Sequence, residues 1–138
     1  PASAKSKGYV FKYKGVSVTM NGAAKKLIKK AGKPSKKTVK KSCAYKGKDR
    51  TYTYKDFQLK TYSKTNNGAE YVSEIRFRSN KAVTKEGIRI GSSLKDVTKK
   101  YGKAKARFGV YTFKKGSSKL QIMLNGNKVS AIRYFASK

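Results

Sequence analysis

The heptapeptide Tyr71-Val72-Ser73-Glu74-Ile75-Arg76-Phe77 returns near the end of the chain as Lys128-Val129-Ser130-Ala131-Ile132-Arg133-Tyr134. Apolar and polar residues alternate in both, the period of a β-strand with one face buried. The match extends outward. Phe57-Gln58-Leu59 corresponds to Leu120-Gln121-Ile122, and Tyr52-Thr53-Tyr54 to Tyr111-Thr112-Phe113. Asn66-Asn67-Gly68 and Asn125-Gly126-Asn127 stand between the last two strands of each set, and both are hairpin-turn signals. Each half therefore reads as three antiparallel strands.

Upstream of each set lies a short helical pattern. Ala24, Leu27 and Ala31 are spaced three and four apart, as are Leu94, Val97 and Tyr101, so each trio shares one helical face with lysines opposite. Ser93 is a good N-cap with Asp96 three residues on, whereas Asn21-Gly22 opens the first helix less cleanly. Gly32 and Gly102 stand where a left-handed residue ends a helix. Val18-Thr19-Met20 and Ile88-Arg89-Ile90 read as strands leading into the two helices. The expectation is an α+β fold of two tandem strand-helix-three-strand repeats, residues 9–79 and 80–138. They would form a single domain, 9–138, whose antiparallel sheet carries both helices packed on one side, preceded by a small basic tether, 1–8.

Composition bounds what such a body can do. Its 138 residues carry 36 Lys and Arg against 6 Asp and Glu, a formal net charge of +30, with Tyr 10 and Phe 6 as the bulk of the large core-forming side chains. Nearly all the positive charge is lysine, which points to diffuse attraction rather than bidentate recognition. There is no His, so imidazole-based triads and metal sites are excluded. The acids, Asp49, Asp56, Glu70, Glu74, Glu86 and Asp96, are scattered and show no calcium-loop or phosphate-loop spacing. Asp49 and Glu74 are the pair one would name for a glycosidase, but nothing marks them out. The one cysteine, Cys43, cannot close an intramolecular disulfide and reads as a buried or half-buried small residue. Tyr9, Phe11 and Tyr13 alternate as aromatics in a base-stacking strand do, but read better as facing the core.

The run Gly87-Ile88-Arg89-Ile90-Gly91-Ser92-Ser93-Leu94-Lys95-Asp96-Val97, with Tyr101-Gly102, resembles the strand, glycine, hydroxyl cap, helix and glycine signature of BamE (SmpA/OmlA) and β-lactamase-inhibitor-protein-like domains. The chain from Tyr9 to Phe135 also resembles small secreted lipoproteins of Gram-positive bacteria, which share a Tyr-Thr-Tyr strand after a Ser-Cys-Ala segment, here Tyr52-Thr53-Tyr54 and Ser42-Cys43-Ala44. These resemblances imply an envelope module, secreted or lipid-anchored on the outer side of the bacterial membrane, that binds without catalysis through the open face of its sheet. The small-x-small pattern Ala2-Ser3-Ala4 has the look of a signal-peptidase site.

The two halves differ most between Pro34 and Arg50, where the first carries SKKTVKKSCAYKGKD and the second only a short bridge. The segment reads either as the site of individual function or as a solvated lysine-rich loop packed down by Val39, Cys43 and Tyr45. Lys36, Lys37, Lys40, Lys41 and Tyr45 are the side chains expected to meet a partner: lysines for attraction, the tyrosine as a packing anchor. The expected function is that of a noncatalytic extracytoplasmic binding domain, needing no cofactor or metal, with a protein partner favoured. The alternative is a lysine-driven binder of anionic polymers such as teichoic or nucleic acid.

Overall fold

The structure, a computed structural model, describes residues 8–43 and 45–136. Apart from Gly8, the tether expected at 1–8 lies outside them.

The chain is mostly β. Nine strands, β1 (Val10–Tyr13), β2 (Val16–Thr19), β3 (Lys36–Lys41), β4 (Lys48–Thr53), β5 (Phe57–Ser63), β6 (Glu70–Phe77), β7 (Val110–Lys115), β8 (Ser118–Asn125) and β9 (Lys128–Ala136), form two antiparallel sheets. β1 and β2 make a separate hairpin. The rest build one seven-stranded sheet in the order β3-β4-β5-β6-β9-β8-β7. The two strand triplets read from sequence are present and meet edge to edge, β6 against β9, through Glu74↔Phe135, Ile75↔Tyr134 and Arg76↔Arg133.

The helix-covered α+β architecture is corrected by this topology. The helices, α1 (Lys25–Ala31) and α2 (Leu94–Tyr101), have 7 and 8 residues and bury one side chain each, Leu27 and Val97. Of the two leading strands, β2 pairs with β1 instead of the main sheet, and Ile88-Arg89-Ile90 is not a strand. Much of the cover comes from the hairpin: Phe11 is fully buried with its ring 5.4 Å from both Phe57 and Phe77 and 6.3 Å from Tyr134. Tyr9 is buried and Tyr13 partly so, packed on the same core, as their alternation predicted. The segment between β6 and α2 adds Ala82 and Ile88 to this core. Helices this short cannot hold themselves together, so they depend on the sheet beneath, against whose core Ile28, Ala31 and Tyr101 also pack.

That dependence is visible in the backbone. The Asn21 and Ala24 N–H groups donate to the carbonyls of Val72 and Glu70, and Val72 N–H donates to Gly22. Around α2, Gly91 and Leu94 donate to Val129 and Asn127, and Val129 donates to Ser92. Each helix thus starts from a segment laced to the first residues of β6 or β9. Ser93 caps α2, its Oγ accepting the Asp96 N–H at 3.1 Å, while Ala24 at the start of α1 offers no side-chain cap.

The repeated heptapeptide is not strictly alternating, and the structure shows why. Val72 and Ile75 are three apart and both buried, because Ser73 is the extra residue of a β-bulge opposite Lys60 and Thr61. Ser130 occupies the same place opposite Met123 and Leu124. Both hydroxyls close their bulge on the neighbouring strand: Ser73 Oγ donates to the Lys60 carbonyl at 3.1 Å, Ser130 Oγ to that of Met123 at 3.2 Å.

Two expected outcomes follow from this core. Phe11→Ala should destabilise the protein by about 3–5 kcal/mol in chemical denaturation, since it removes the ring that joins hairpin to sheet; a loss near zero would mean the hairpin is not the cover. The second concerns alkali. Burial, reinforced by the charge of Glu70, pushes the Tyr54 phenol up to about 12, and burial also raises Tyr52, Tyr101 and Tyr134 from the ordinary 10.0. The unfolded chain would ionise these phenols first, so their contribution to stability is complete below pH 10 and is lost as pH rises towards 12. Spectrophotometric titration should show a late, cooperative tyrosinate step coinciding with loss of the sheet signal in circular dichroism. Ionisation of all 10 tyrosines in the ordinary range with the fold intact would contradict it.

Candidate functional site: the open face of the sheet

One face of the seven-stranded sheet is spent on the core. On the other, strand alternation and register set out an open surface on which none of the side chains named below is fully buried. Its cations are Lys36 and Lys40 on β3, Lys60 on β5, Arg76 on β6, Arg133 on β9, Lys119 on β8 and Lys114 on β7; its carboxylates are Asp49 and Glu74.

Four of the five side chains predicted as partner contacts lie on β3. The segment containing them is corrected from loop to strand over Lys36–Lys41, paired with β4 along its length. As an edge strand it splits its lysines: Lys36 and Lys40 stand on the open face, while Lys37 and Lys41 alternate to the other side, Lys37 lying 5.1 Å from the Tyr52 ring centroid. Lysines on an unpaired edge also disfavour strand addition by another chain, a structural use for this cluster.

Tyr45, the predicted anchor, leaves the open face at its β3–β4 end. Its ring stacks on Tyr62 with centroids 5.2 Å apart and planes 15° apart, and Tyr62 meets Tyr71 at 5.6 Å. The packing expected of Val39 and Cys43 is corrected: both are exposed, Cys43 having been read as buried or half-buried, whereas Tyr45, also exposed, does pack its ring on Tyr62. The bend carrying Tyr45 is held by backbone instead. Gly47 crosses so close to Ser63 that a Cβ there would lie 2.0 Å from the Ser63 carbonyl oxygen, and Ser63 Oγ accepts the Lys48 N–H at 3.1 Å. Between this bend and the strands is a cleft of about 540 Å³, lined among others by Lys40, Cys43, Tyr45, Asp49, Lys60 and Tyr62.

The second feature of this face was missed in the sequence reading. The register runs Lys36↔Thr53, Thr53↔Gln58, Gln58↔Arg76, Arg76↔Arg133, Arg133↔Gln121 and Gln121↔Thr112, one unbroken line across all seven strands. Its signal was present: Thr, Gln, Arg and Ser are the polar residues identical in the two matched sets, and while Ser73 and Ser130 close the bulges, core packing explains only the apolar neighbours of the others. Beside its centre is a pocket of about 140 Å³ bounded by Arg76, Gln121, Met123 and Arg133.

The acids are mostly engaged. Glu70 accepts the Tyr52 and Thr61 hydroxyls at 2.7 Å, Glu86 accepts Tyr101 at 2.7 Å, and Asp56 accepts Ser79 at 2.8 Å. Glu74 pairs with Arg76 at 3.3 Å and Arg133 at 3.8 Å. Asp49 and Glu74 share the open face but stand on strands separated by β5, and Glu74 is committed to the arginines. Among the described residues no group of three or more potential ligands is placed to hold a metal. Nor is any helix there long and apolar enough to cross a membrane.

A scan of family models and searches of curated proteins and solved structures return no match to this chain.

If the β3 lysines guard an edge, Lys36→Val with Lys40→Val should produce concentration-dependent self-association in sedimentation velocity. A variant that stays in the wild-type state at every concentration would assign those lysines to something else.

Proposed function

We propose that this chain is a noncatalytic binding module of the bacterial cell envelope, working on the outer side of the membrane, and that it holds an anionic polymer on the open face of its sheet. The observation that carries this reading is the charge balance of that face, where six of the seven strands present a Lys or Arg and only two carboxylates stand among them, Glu74 being paired with Arg76 and Arg133. A flat array of cations can release counterions along a chain of phosphates or carboxylates, which gives affinity without a deep pocket. The resemblance to BamE-like and β-lactamase-inhibitor-like envelope domains supports the location and the absence of catalysis; the basic face supports the polymer.

A protein partner is the second reading, and one feature favours it. Phe108 is wholly exposed and sits at φ 54 in the turn between Arg107 and Val110, a left-handed backbone costly for an aromatic residue. On this reading the ring is the anchor that would enter a pocket of the partner.

Salt separates the two. Binding to an anionic polymer should weaken at least roughly a hundredfold between about 50 mM and 200 mM salt, in fluorescence anisotropy with a labelled polyphosphate probe. Absence of polymer binding at low salt, together with salt-resistant capture of one envelope protein that Phe108→Ala abolishes, would replace the first reading by the second.

A further inference from the structure

We infer that the line Thr53–Gln58–Arg76–Arg133–Gln121–Thr112 is the binding track, and that its central arginine pair seats a phosphodiester of a linear polyol-phosphate polymer; this rests on the anionic-polymer reading above. The geometry begins with register. These residues occupy directly opposed positions on neighbouring strands, so the order Thr, Gln, Arg from one edge meets Arg, Gln, Thr from the other. With Lys36 the line spans about 29 Å, at about 4.8 Å per strand. Because β6 and β9 are antiparallel, it reads the same in both directions, which suits a polymer whose unit repeats.

The flanking positions do not share this property. Where the first half has Thr51, Lys60 and Glu74, the second has Val110, Met123 and Ala131. Off the line, the matched strands share Ser73 and Ser130, whose hydroxyls close the two bulges.

Energetically, the centre is built against the stability of the free protein. Two guanidinium groups directly opposed on adjacent strands repel. Glu74 offsets part of this, at 3.3 Å from Arg76 and 3.8 Å from Arg133, and the Arg133 guanidinium rests 4.4 Å from the Phe135 ring centroid. Arg133 Nε nevertheless remains buried without a hydrogen-bond partner. A buried donor left unmade is costly, and here it adjoins the pocket bounded by both arginines. A phosphodiester in that pocket would stand between the two positive charges and accept from the terminal guanidinium N–H groups in the fork geometry that lysine cannot offer. Gln58 and Gln121 flank the pair with amides able to donate to the next unit; Gln58 Nε2 already donates to Thr53 Oγ1 at 3.1 Å. The line itself carries no aromatic side chain; Phe135 and the Tyr45–Tyr62–Tyr71 stack stand elsewhere on the same face, so a polymer without bases is set against nucleic acid in the test below.

The test uses a poly(glycerol phosphate) oligomer in isothermal titration calorimetry at constant salt, with the full chain. Arg76→Lys with Arg133→Lys keeps the net charge but removes the fork, and should weaken binding roughly tenfold or more, a loss expected for charge-assisted pairs. Lys103→Gln with Lys105→Gln, in an exposed segment away from the line, should change it less than about threefold. Thermal melting checks that each variant folds, and Arg76→Lys alone, at the more exposed arginine, gives a milder probe. Wild-type binding that survives the arginine-to-lysine change but falls with the lysine pair overturns the track while leaving the anionic-polymer reading intact. No wild-type binding to any polyanion at low salt overturns both. Single-stranded DNA bound as tightly, with the same sensitivity to the arginines, overturns the choice of a polymer without bases.

Discussion

The structure depends on a seam. β6 and β9 are joined by only three register pairs, yet this junction turns two strand triplets into one seven-stranded sheet with a continuous buried face. Ile75 and Tyr134 are opposed on the core side of the seam, both fully buried, and Phe77 and Phe11 gather around Tyr134 at 6.0 and 6.3 Å. A three-stranded sheet with a two-strand hairpin or a two-turn helix has too little apolar area to fold by itself. Joined, the halves share one core, and the hairpin and both helix starts are pinned to it. The same junction forces Arg76 against Arg133 on the opposite face, so the interaction that makes the core also sets two guanidinium groups side by side on the open surface.

The distribution of the six acids explains how so basic a chain tolerates its charge. Glu70, Glu86 and Asp56 are drawn into hydrogen bonds with tyrosine, threonine and serine hydroxyls, and Glu74 lies between two arginines. They organise local packing and leave the lysines to solvent. Mutual repulsion of those lysines is screened within about 10 Å at ordinary salt, and a bound polyanion would relieve it further. The aromatic content contributes inside: tyrosine and phenylalanine add large buried areas to the aliphatic core.

Strand positions were legible because their signal is local. Tyr52-Thr53-Tyr54, Phe57-Gln58-Leu59 and their partners at 111–113 and 120–122 alternate cleanly, and each is a strand with its apolar residues largely inward, Tyr111 alone being half-exposed. The helices at Leu27 and Val97 were legible for the same reason, down to the Ser93 cap. Their importance was not. A three-and-four spacing reports a helical face but not how much it covers, and here each face buries one side chain while the hairpin of Phe11 covers the sheet. The lysine run 36–41 failed in the other direction. Its strand character comes from the free edge of β4, a tertiary partner that overrides a sequence with little strand propensity of its own. Among the predicted contact residues, Lys36, Lys40 and Tyr45 reach the open face or its cleft, whereas Lys37 and Lys41 are turned aside by alternation.

By itself the sequence determined the inventory: six working strands in two matched sets, two capped or glycine-ended turns of helix, an aromatic interior, a cationic exterior, and no imidazole. These follow from nearest-neighbour spacing and residue chemistry, which act within a few positions along the chain. Only the tertiary structure decided which strand lies beside which, and therefore that Thr53, Gln58, Arg76, Arg133, Gln121 and Thr112, scattered between positions 53 and 133, stand in one line. Register is a property of pairs of strands, set by the shared core and the seam, and a single strand carries no record of the partner it will meet.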